Sequence, residues 1–594
     1  MPFFWSFINV ILRNKKLFNA AKSLRSVKRN GVKGFFSALK KRPPASLQNE
    51  TYLSESDRLN QENTVFKKNI KISIVSSISN ISQNALNEMF DSIMAQTYKN
   101  WELCLAGSSK AENENSMDFC TAYSKKDERI KIKKLDGVPV ISEILNTALE
   151  MTTGDYIGII EGGDILHPSA FFEIVKTVSQ DESDFIYSDE AFFSDDHTIL
   201  LKHHKPGYAV DTLRSHNYIN HLALFHRSLM EKAGTFRSEF NGSHYYDLIL
   251  RHTNSASRIH RIPKILYFSR NTNPDDNYHT SNAEDAIKEH LNSCNIPASV
   301  ESNSSMPGFY RVNYELTERP LVSIIIPNKD NVNLLRNCIS SIIKKTTYDN
   351  YEIIIVENNS KSSSTFRYYD ELKKQSNLHI IYWEGKGFNY SKLCNYGAEH
   401  SGGKHLIFLN NDIEIISPAW IEEMLMYSQR NDVGAVGIKL YYQNGSIQHA
   451  GLILGMKETA GHIFLSEPNG TQGYMAKLQI VQNLSAVTAA CMMVKKSVFM
   501  ETGSFDPEFC SSFNDVDLCL KIRNAGYLIV WTPYAEAYHL EARSRGYNVT
   551  REKRRIHIRE TRLFKKKWKK ILDNGDPYYN INFSLEKNDY SLEN

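Results

Sequence analysis

The chain has 594 residues, too many for one hydrophobic core, so two or three domains are expected. The formal net charge is only +4, and no apolar run is long enough to span a bilayer, which excludes a polycation and a transmembrane helix. Eight cysteines lie far apart without a C-x-x-C pair, the pattern of reduced core thiols.

Residues 1–69 carry the one strong charge asymmetry. No acid occurs from Met1 to Asn49, whereas Arg13, Lys15, Lys16, Lys22, Arg25, Lys28, Arg29, Lys33, Lys40, Lys41 and Arg42 are basic. Phe3, Phe4, Trp5, Phe7, Ile8, Ile11 and Leu12 precede that stretch. The apolar start comes before its charge and no small-residue cleavage site follows, so it is not read as a secretory signal. Such a segment is expected to lie on an anionic membrane surface, each cation adding about 1 kcal/mol. Nucleic acid is not an expected partner, because no helix-turn-helix, RNP or zinc pattern accompanies the charge.

From Ile70 onward, short β-branched runs alternate with helical stretches, and the whole series occurs twice. Ile72–Val75 opens the first copy and Val322–Ile325 the second. Gln96-Thr-Tyr-x-Asn-Trp-Glu-Leu103 matches Thr346-Thr-Tyr-x-Asn-Tyr-Glu-Ile353. Ser142–Glu150 matches Ser391–Glu399, the run from Gly154 matches that from Gly403, and Ser228–Phe240 matches Ser497–Phe509. Alternating strands and helices predict a doubly wound α/β sheet in each copy, with ligands at the carboxyl ends of the strands. The boundaries expected are 1–69, 70–317, 318–546 and a helical tail 547–594.

The second copy carries a coherent set of chemical groups. A sugar attached to a diphosphate leaves negative charge behind when its bond breaks, and a divalent cation held by one or two carboxylates stabilises that charge. Asp412, just beyond the apolar run Leu406–Leu409, is the candidate ligand, with Glu414 weaker. An acceptor alcohol needs a general base, and Asn514-Asp-Val-Asp517 offers two acids at a helix start, of which only one can face a cleft. His539 can ligate a metal, and Arg543 and Arg545 can fork onto phosphate oxygens.

In this order the residues resemble the family 2 glycosyltransferases, over nearly all of Ile70 to Gly546. Val322–Pro327 is similar to the family's first strand and Val356-Glu-Asn-Asn-Ser360 to its acidic nucleotide-binding turn. Gly387-Phe-Asn-Tyr-Ser391 with Asn395, and Asp576-Pro-Tyr-Tyr-Asn580, resemble the rhamnosyltransferase-like branch. Leu409–Asp412 stands at the D-x-D position, Asn514–Asp517 at the E-D-x-D position, and His539 with Arg543–Gly546 at the closing motif. Asn410 and Asn514 depart from the strict pattern. The resemblance implies two tandem GT-A (Rossmann-like) nucleotide-diphospho-sugar transferase domains and an inverting, metal-dependent transfer. Asp515 would be the base, and Asp412 and His539 would hold Mg²⁺ or Mn²⁺. Pro327, Asn328, Glu357, Asn358, Asn389, Asn410, Asn411, Arg543 and Arg545 would bind the nucleotide sugar, dTDP-rhamnose or a UDP-sugar. His449 and Trp383 are acceptor candidates, and His462 could line the same cleft. The implied acceptor is a lipid-linked surface polysaccharide of O-antigen or capsule type, at the cytoplasmic face of the membrane.

The first copy lacks these groups. Ala106-Gly107-Ser108-Ser109 replaces the acidic turn, Gly163 stands opposite Asp412, and Tyr245 stands opposite Asp515. It is expected to be a non-catalytic domain, although a one-residue slip would bring Asp164 or Asp247 into use. Two alternatives stay open: a bifunctional transferase with both copies active, and a non-catalytic glycan-binding scaffold.

Overall fold

The computed structural model describes residues 45–78, 81–108, 111–270, 282–540 and 550–593. Of the basic membrane segment expected at 1–69, residues 1–44 lie outside them, as do Arg543 and Arg545. Contacts divide the chain into two units. The first holds residues up to Tyr208, His216–Ile296 and Val300–Tyr310; the second holds Ala209–Ser215, Pro297–Ser299 and Arg311–Asn594.

The first unit is built on nine strands: β1 (Ile72–Ile78), β2 (Trp101–Ser108), β3 (Ile130–Leu135), β4 (Tyr156–Ile159), β5 (Ile165–Leu166), β6 (Phe185–Phe193), β7 (Ile199–His203), β8 (Ala223–His226) and β9 (Ile259–Arg270). Their order is 3-2-1-4-8-6-9-5, with β7 beside β6. A two-strand ladder, β10 (Ala298–Ser302) with β11 (Tyr310–Tyr314), follows. The second unit repeats the pattern with β12 (Val322–Asn328), β13 (Tyr351–Glu357), β14 (Leu378–Tyr382), β15 (His405–Leu409), β16 (Ile413–Ile415), β17 (Val433–Tyr441), β22 (Cys491–Lys495) and β23 (Leu528–His539). Their order is 14-13-12-15-22-17-23-16. The smaller strands β18 (Ile447–His449) and β21 (Gln482–Asn483) flank this sheet, while β19 (Leu452–Leu454) and β20 (Ala460–His462) form a hairpin.

Each unit is α/β, as the repeat predicts, and the sheets are mixed in strand direction. Strands β12 to β15 are parallel, but β22 runs antiparallel to both β15 and β17. The long insertion between β17 and β22 breaks the strand–helix rhythm from which a parallel sheet is read.

The two copies share their internal ties as well as their order. Ser73 Oγ donates to Glu102 (2.7 Å) and accepts from the Gly154 amide (2.8 Å). Ser323 does the same with Glu352 (2.6 Å) and Gly403 (2.8 Å). A Cβ on Gly403 would fall 2.5 Å from Ser323 Oγ and 2.8 Å from the Leu321 carbonyl, which is why glycine stands there. Asn146 exchanges two hydrogen bonds with the Phe236 backbone, and Asn395 exchanges the same two with Phe505.

Both ends of the described chain join these units instead of forming separate elements. Leu47 packs with Ile165, Phe193 and Phe268. From the tail, Phe564, Trp568, Tyr579, Phe583 and Tyr590 enter the core of the second unit, each buried ring contributing about 2 kcal/mol. Asp211, from the segment Ala209–Ser215, pairs with Arg430 and accepts from Asn483 Nδ2 (2.7 Å) within the second unit. All eight cysteines are free thiols. No described helix is long and apolar enough to cross a membrane.

Candidate functional site

The site of the second unit lies at the carboxyl ends of β12, β13 and β15, where each strand delivers a polar turn. Strand β13 ends on Glu357, which is buried and accepts bonds from the Ser360 amide, the Ser360 hydroxyl (2.8 Å) and the Tyr369 hydroxyl. Tyr369 accepts from Asn328 Nδ2 (2.8 Å), and Asn328 Oδ1 accepts from Asn411 Nδ2 (2.7 Å). Burial, then the Glu357 carboxylate, raises the Tyr369 hydroxyl above the usual phenol range, so it stays a donor. Asn328, Glu357 and Asn411 therefore brace one another. Asn358 is placed differently. It is buried, its amide donates to the Asn328 carbonyl (2.8 Å), and its Nδ2 has no hydrogen-bond partner among the described residues. A buried amide donor of that kind is satisfied only by a ligand or water.

Two of the candidate residues have clear structural surroundings. Trp383, expected at the acceptor, stands at the Glu357 turn: its amide donates to the Glu357 carbonyl (3.0 Å) and its indole lies over Gly385. Asn389, expected at the nucleotide, caps the helix Tyr390–Glu399, accepting from the Lys392 amide (3.0 Å) and donating to the Pro507 carbonyl (2.9 Å). Capping engages one lone pair of Oδ1 and one N–H of Nδ2, and sequence spacing alone does not distinguish a cap from a ligand. Pro327 stays in β12, opposite Val356.

The turn Asn410–Asp412 follows β15. Register then brings His539 to it, because Ile413 of β16 pairs with His539 of β23 and the Leu540 amide donates to the Asp412 carbonyl (2.9 Å). His539 Nε2 lies 3.4 Å from Asp412 Oδ1 and 3.4 Å from Asn410 Nδ2. Asp412 and His539 are both buried. Two donors each about 2.1 Å from one divalent ion, at right angles, are about 3 Å apart, so this pair fits neighbouring positions on a small cation. No group of three His, Cys, Asp or Glu side chains stands ready to hold a metal among the described residues. A cation here would take its remaining oxygens from a diphosphate and water.

Asp515 and Asp517 open the helix Asn514–Asn524 and face opposite ways. Asp517 is fully buried, bonded by Trp568 Nε1 (2.9 Å) and paired with Lys567 (2.7 Å). Asp515 is half-exposed; its Oδ2 accepts from Thr488 Oγ1 (3.0 Å) and the Ala489 amide (3.3 Å), and its Oδ1 from the Val516 amide (2.9 Å). The Asn410 amide donates to the Ala490 carbonyl (3.0 Å). The turn Thr488–Ala490 thus holds both Asp515 and the start of the Asn410–Asp412 turn.

Two histidines lie behind this turn. His449 is fully buried, its Nδ1 2.9 Å from His462 Nδ1 and its Nε2 accepting from the Thr488 amide (3.4 Å). Both nitrogens are used inside the protein, so the direct acceptor contact expected of His449 is replaced by a contact with His462, which is half-buried.

Sequence reading missed Thr488, Ala489 and Glu560. The first two sit in a small-residue run that carries no motif. Glu560 is fully buried and binds the loop Cys510–Ser512 ahead of Asp515. Its signal was there to read: an acid in the middle of a basic amphipathic helix whose other acid, Glu552, lies in the first turn.

In the first unit the two carboxylates that a one-residue slip would bring into use, Asp164 and Asp247, are buried. Asp164 is buried, with Oδ2 accepting from Tyr267 (2.6 Å) and Oδ1 from the Arg270 amide (2.7 Å). Burial, then Glu161, raises its carboxyl well above the usual range. Asp247 is buried between Arg237 and Arg251. Tyr245 stands edge-on to His221, with ring centres 5.0 Å apart.

Comparison with known proteins agrees with the repeat. The model of glycosyl transferase family 2 matches residues 73–234 and 323–503. An uncharacterized protein, y4gI, of Sinorhizobium fredii is 37% identical over 532 residues, 88% of this chain and 58% of the relative. The O-antigen biosynthesis protein RfbC of Myxococcus xanthus is 30% identical over 530 residues, 88% of this chain and 41% of the relative. The chain thus spans about half the length of these curated relatives. Among solved structures, GalNAc-T7 with UDP, GalNAc and Mn²⁺ is 14% identical at a TM-score of 0.36, over 46% of this chain and 53% of that one.

Proposed function

Because the chain belongs to glycosyl transferase family 2, we propose that its second unit moves a sugar, with inversion, from a nucleotide-diphosphate sugar to a lipid-linked polysaccharide of O-antigen or capsule type. The observation that carries this reading is the single turn, Thr488–Ala490, that holds both Asp515 and Asn410. It sets a half-exposed carboxylate beside a buried Asp–His pair, the arrangement that an alcohol nucleophile and a diphosphate leaving group require.

Asp515 takes the proton of the acceptor hydroxyl as that oxygen bonds to the anomeric carbon, and the carbon–oxygen bond to the diphosphate breaks on the opposite face. Its carboxylate is oriented for this by Thr488, Ala489 and Val516. Asp412 and His539 would hold Mg²⁺ or Mn²⁺, which supplies positive charge to the departing diphosphate. Asn358 meets the base or ribose with its open Nδ2, and Trp383 offers a ring face at the same turn. Arg543 and Arg545, outside the described residues, are assigned to the diphosphate. The likeness of Gly387–Ser391 to the rhamnosyltransferase-like branch favours dTDP-rhamnose, with a UDP-sugar second. The first unit, with Asp164 and Asp247 buried, is read as non-catalytic. The basic segment within residues 1–69 is assigned to the cytoplasmic membrane surface, where a lipid-linked acceptor would be met.

The test is product stereochemistry. Incubated with a donor panel, Mn²⁺ and membrane-extracted acceptor, the protein should form a linkage of anomeric configuration opposite to the donor. A product that keeps the donor's configuration would refute the single displacement at Asp515.

A further inference from the structure

His462 has no part in the steps outlined above, yet its surroundings give its proton a definite place. It ends β20, with Nδ1 2.9 Å from His449 Nδ1. After burial, the groups that act on its ring are Asp515, which favours its charged form, and His539, which opposes it. His462 therefore lies within the field of both the base and the metal-side histidine.

The direction of each hydrogen bond follows from the Thr488 amide, which can only donate. His449 Nε2 must accept from it (3.4 Å). A neutral His449 then carries its proton on Nδ1 and donates it to His462 Nδ1. His462 accepts at Nδ1, so its own proton sits on Nε2. Both rings remain neutral near pH 7, because burial holds His449 well below its ordinary range and His462 at about 4. A protonated His462 would set two N–H groups against each other across 2.9 Å. Thr488 unites the arrangement, since its amide fixes the histidine pair while its hydroxyl donates to Asp515 (3.0 Å).

We infer that His462 presents a fixed, neutral Nε2–H donor to an oxygen of the acceptor sugar, tied through His449 and Thr488 to the turn that holds Asp515. This role rests on the transferase reading above. Among the described residues no protein group bonds to His462 Nε2, and the ring is half-buried, so this nitrogen is available to a ligand. A lone N–H donor selects an oxygen and rejects a cation. Bonded to a hydroxyl neighbouring the nucleophile, it would turn the nucleophile's proton towards Asp515. His462 is thus a positioning and specificity residue for the acceptor, and His449 a buried element that sets its tautomer.

Two measurements test this. Histidine-selective ¹⁵N labelling of the full chain, with the His462 signals assigned by their loss in H462Q, should show Nε2 protonated and Nδ1 unprotonated at pH 7. Protonation at Nδ1, or exchange between the two forms, would overturn the inference. With membrane-extracted acceptor, H462A should raise the acceptor KM about tenfold, while H462Q, whose amide N–H replaces Nε2–H, should stay within about threefold of wild type. Equal losses in the two variants would overturn the donor role. The labelling needs neither donor nor acceptor. A wild type with the expected tautomer but no transfer would therefore refute the transferase reading, and the acceptor role with it, while leaving the assigned tautomer standing.

Discussion

Glu560 offers the sharpest test of how the C-terminal tail serves the site. It is fully buried and accepts from the Cys510 amide (2.7 Å), the Ser512 amide (2.9 Å), the Ser511 hydroxyl (3.2 Å) and the Cys510 thiol (2.8 Å). These bonds fix the loop that leads to Phe513, which enters the Asp515 helix at φ 61° and stacks on Phe564 at 4.8 Å. A left-handed phenylalanine costs roughly 1–3 kcal/mol and persists only where its surroundings hold it. Glu560→Ala leaves two backbone N–H groups without an acceptor, at roughly 1–3 kcal/mol each, so a loss of about 4 kcal/mol is expected. At about 2 kcal/mol per molar urea, the unfolding midpoint of the second unit should fall by roughly 2 M. Glu560→Gln keeps one oxygen and should lose about half as much. In buffer, where the alanine variant is still folded, kcat should fall about 100-fold, because a displacement near 1 Å at a reacting group costs that much. An alanine variant that unfolds within about 1 kcal/mol of wild type, with unchanged kcat, would refute the brace.

Four further outcomes follow from the same geometry. Tyr245→Phe, at the first-unit position opposite Asp515, should leave transfer within about twofold, measured as product per minute, since it removes one hydroxyl from a unit read as non-catalytic and keeps the ring that packs on His221. Asn410→Ala, removing the neighbour 3.4 Å from His539 Nε2, should raise the Mn²⁺ needed for half-maximal activity by about 10-fold or more, read by metal titration. Thr488→Val removes one of the donors to Asp515 and should lower kcat about tenfold with donor KM unchanged. His405 is buried, bonded to Ser428 Oγ (2.8 Å), and held at about 4 by burial and then by Lys495. Its folded value lies below the unfolded 6.5, so its stabilising effect is complete above pH 6.5 and is lost as pH falls towards 4. The loss should reach about 3 kcal/mol in urea titrations, and His405→Gln should flatten that slope.

The repeat made the fold legible, because residues that satisfy backbone geometry recur in both copies. Ser73 with Gly154 and Ser323 with Gly403 are the same tie, and Asn395, first noticed as part of a family-like segment, proves to be a backbone clamp shared with Asn146. Strand direction beyond the fourth strand was not legible, since it depends on a long insertion without periodicity. In the site, Asp412 and His539 were visible as separate motifs, but only the pairing of β16 with β23 shows why they meet. Asn389 caps a helix and His449 is the buried partner of His462, roles that use the same residue types as a binding site and that spacing does not tell apart from one. Thr488 was invisible because its role depends on an amide and a hydroxyl pointing to different partners, which composition does not encode.

The central claim is that Asp515 serves transfer from a nucleotide sugar. The direct measurement is release of nucleoside diphosphate from a panel of nucleotide sugars, with Mg²⁺ or Mn²⁺ and membrane-extracted acceptor, for wild type and Asp515→Asn. The account predicts metal-dependent release from one donor, reduced about 100-fold or more in the variant. Release that persists in Asp515→Asn, or no release from any donor with bound acceptor present, would contradict it.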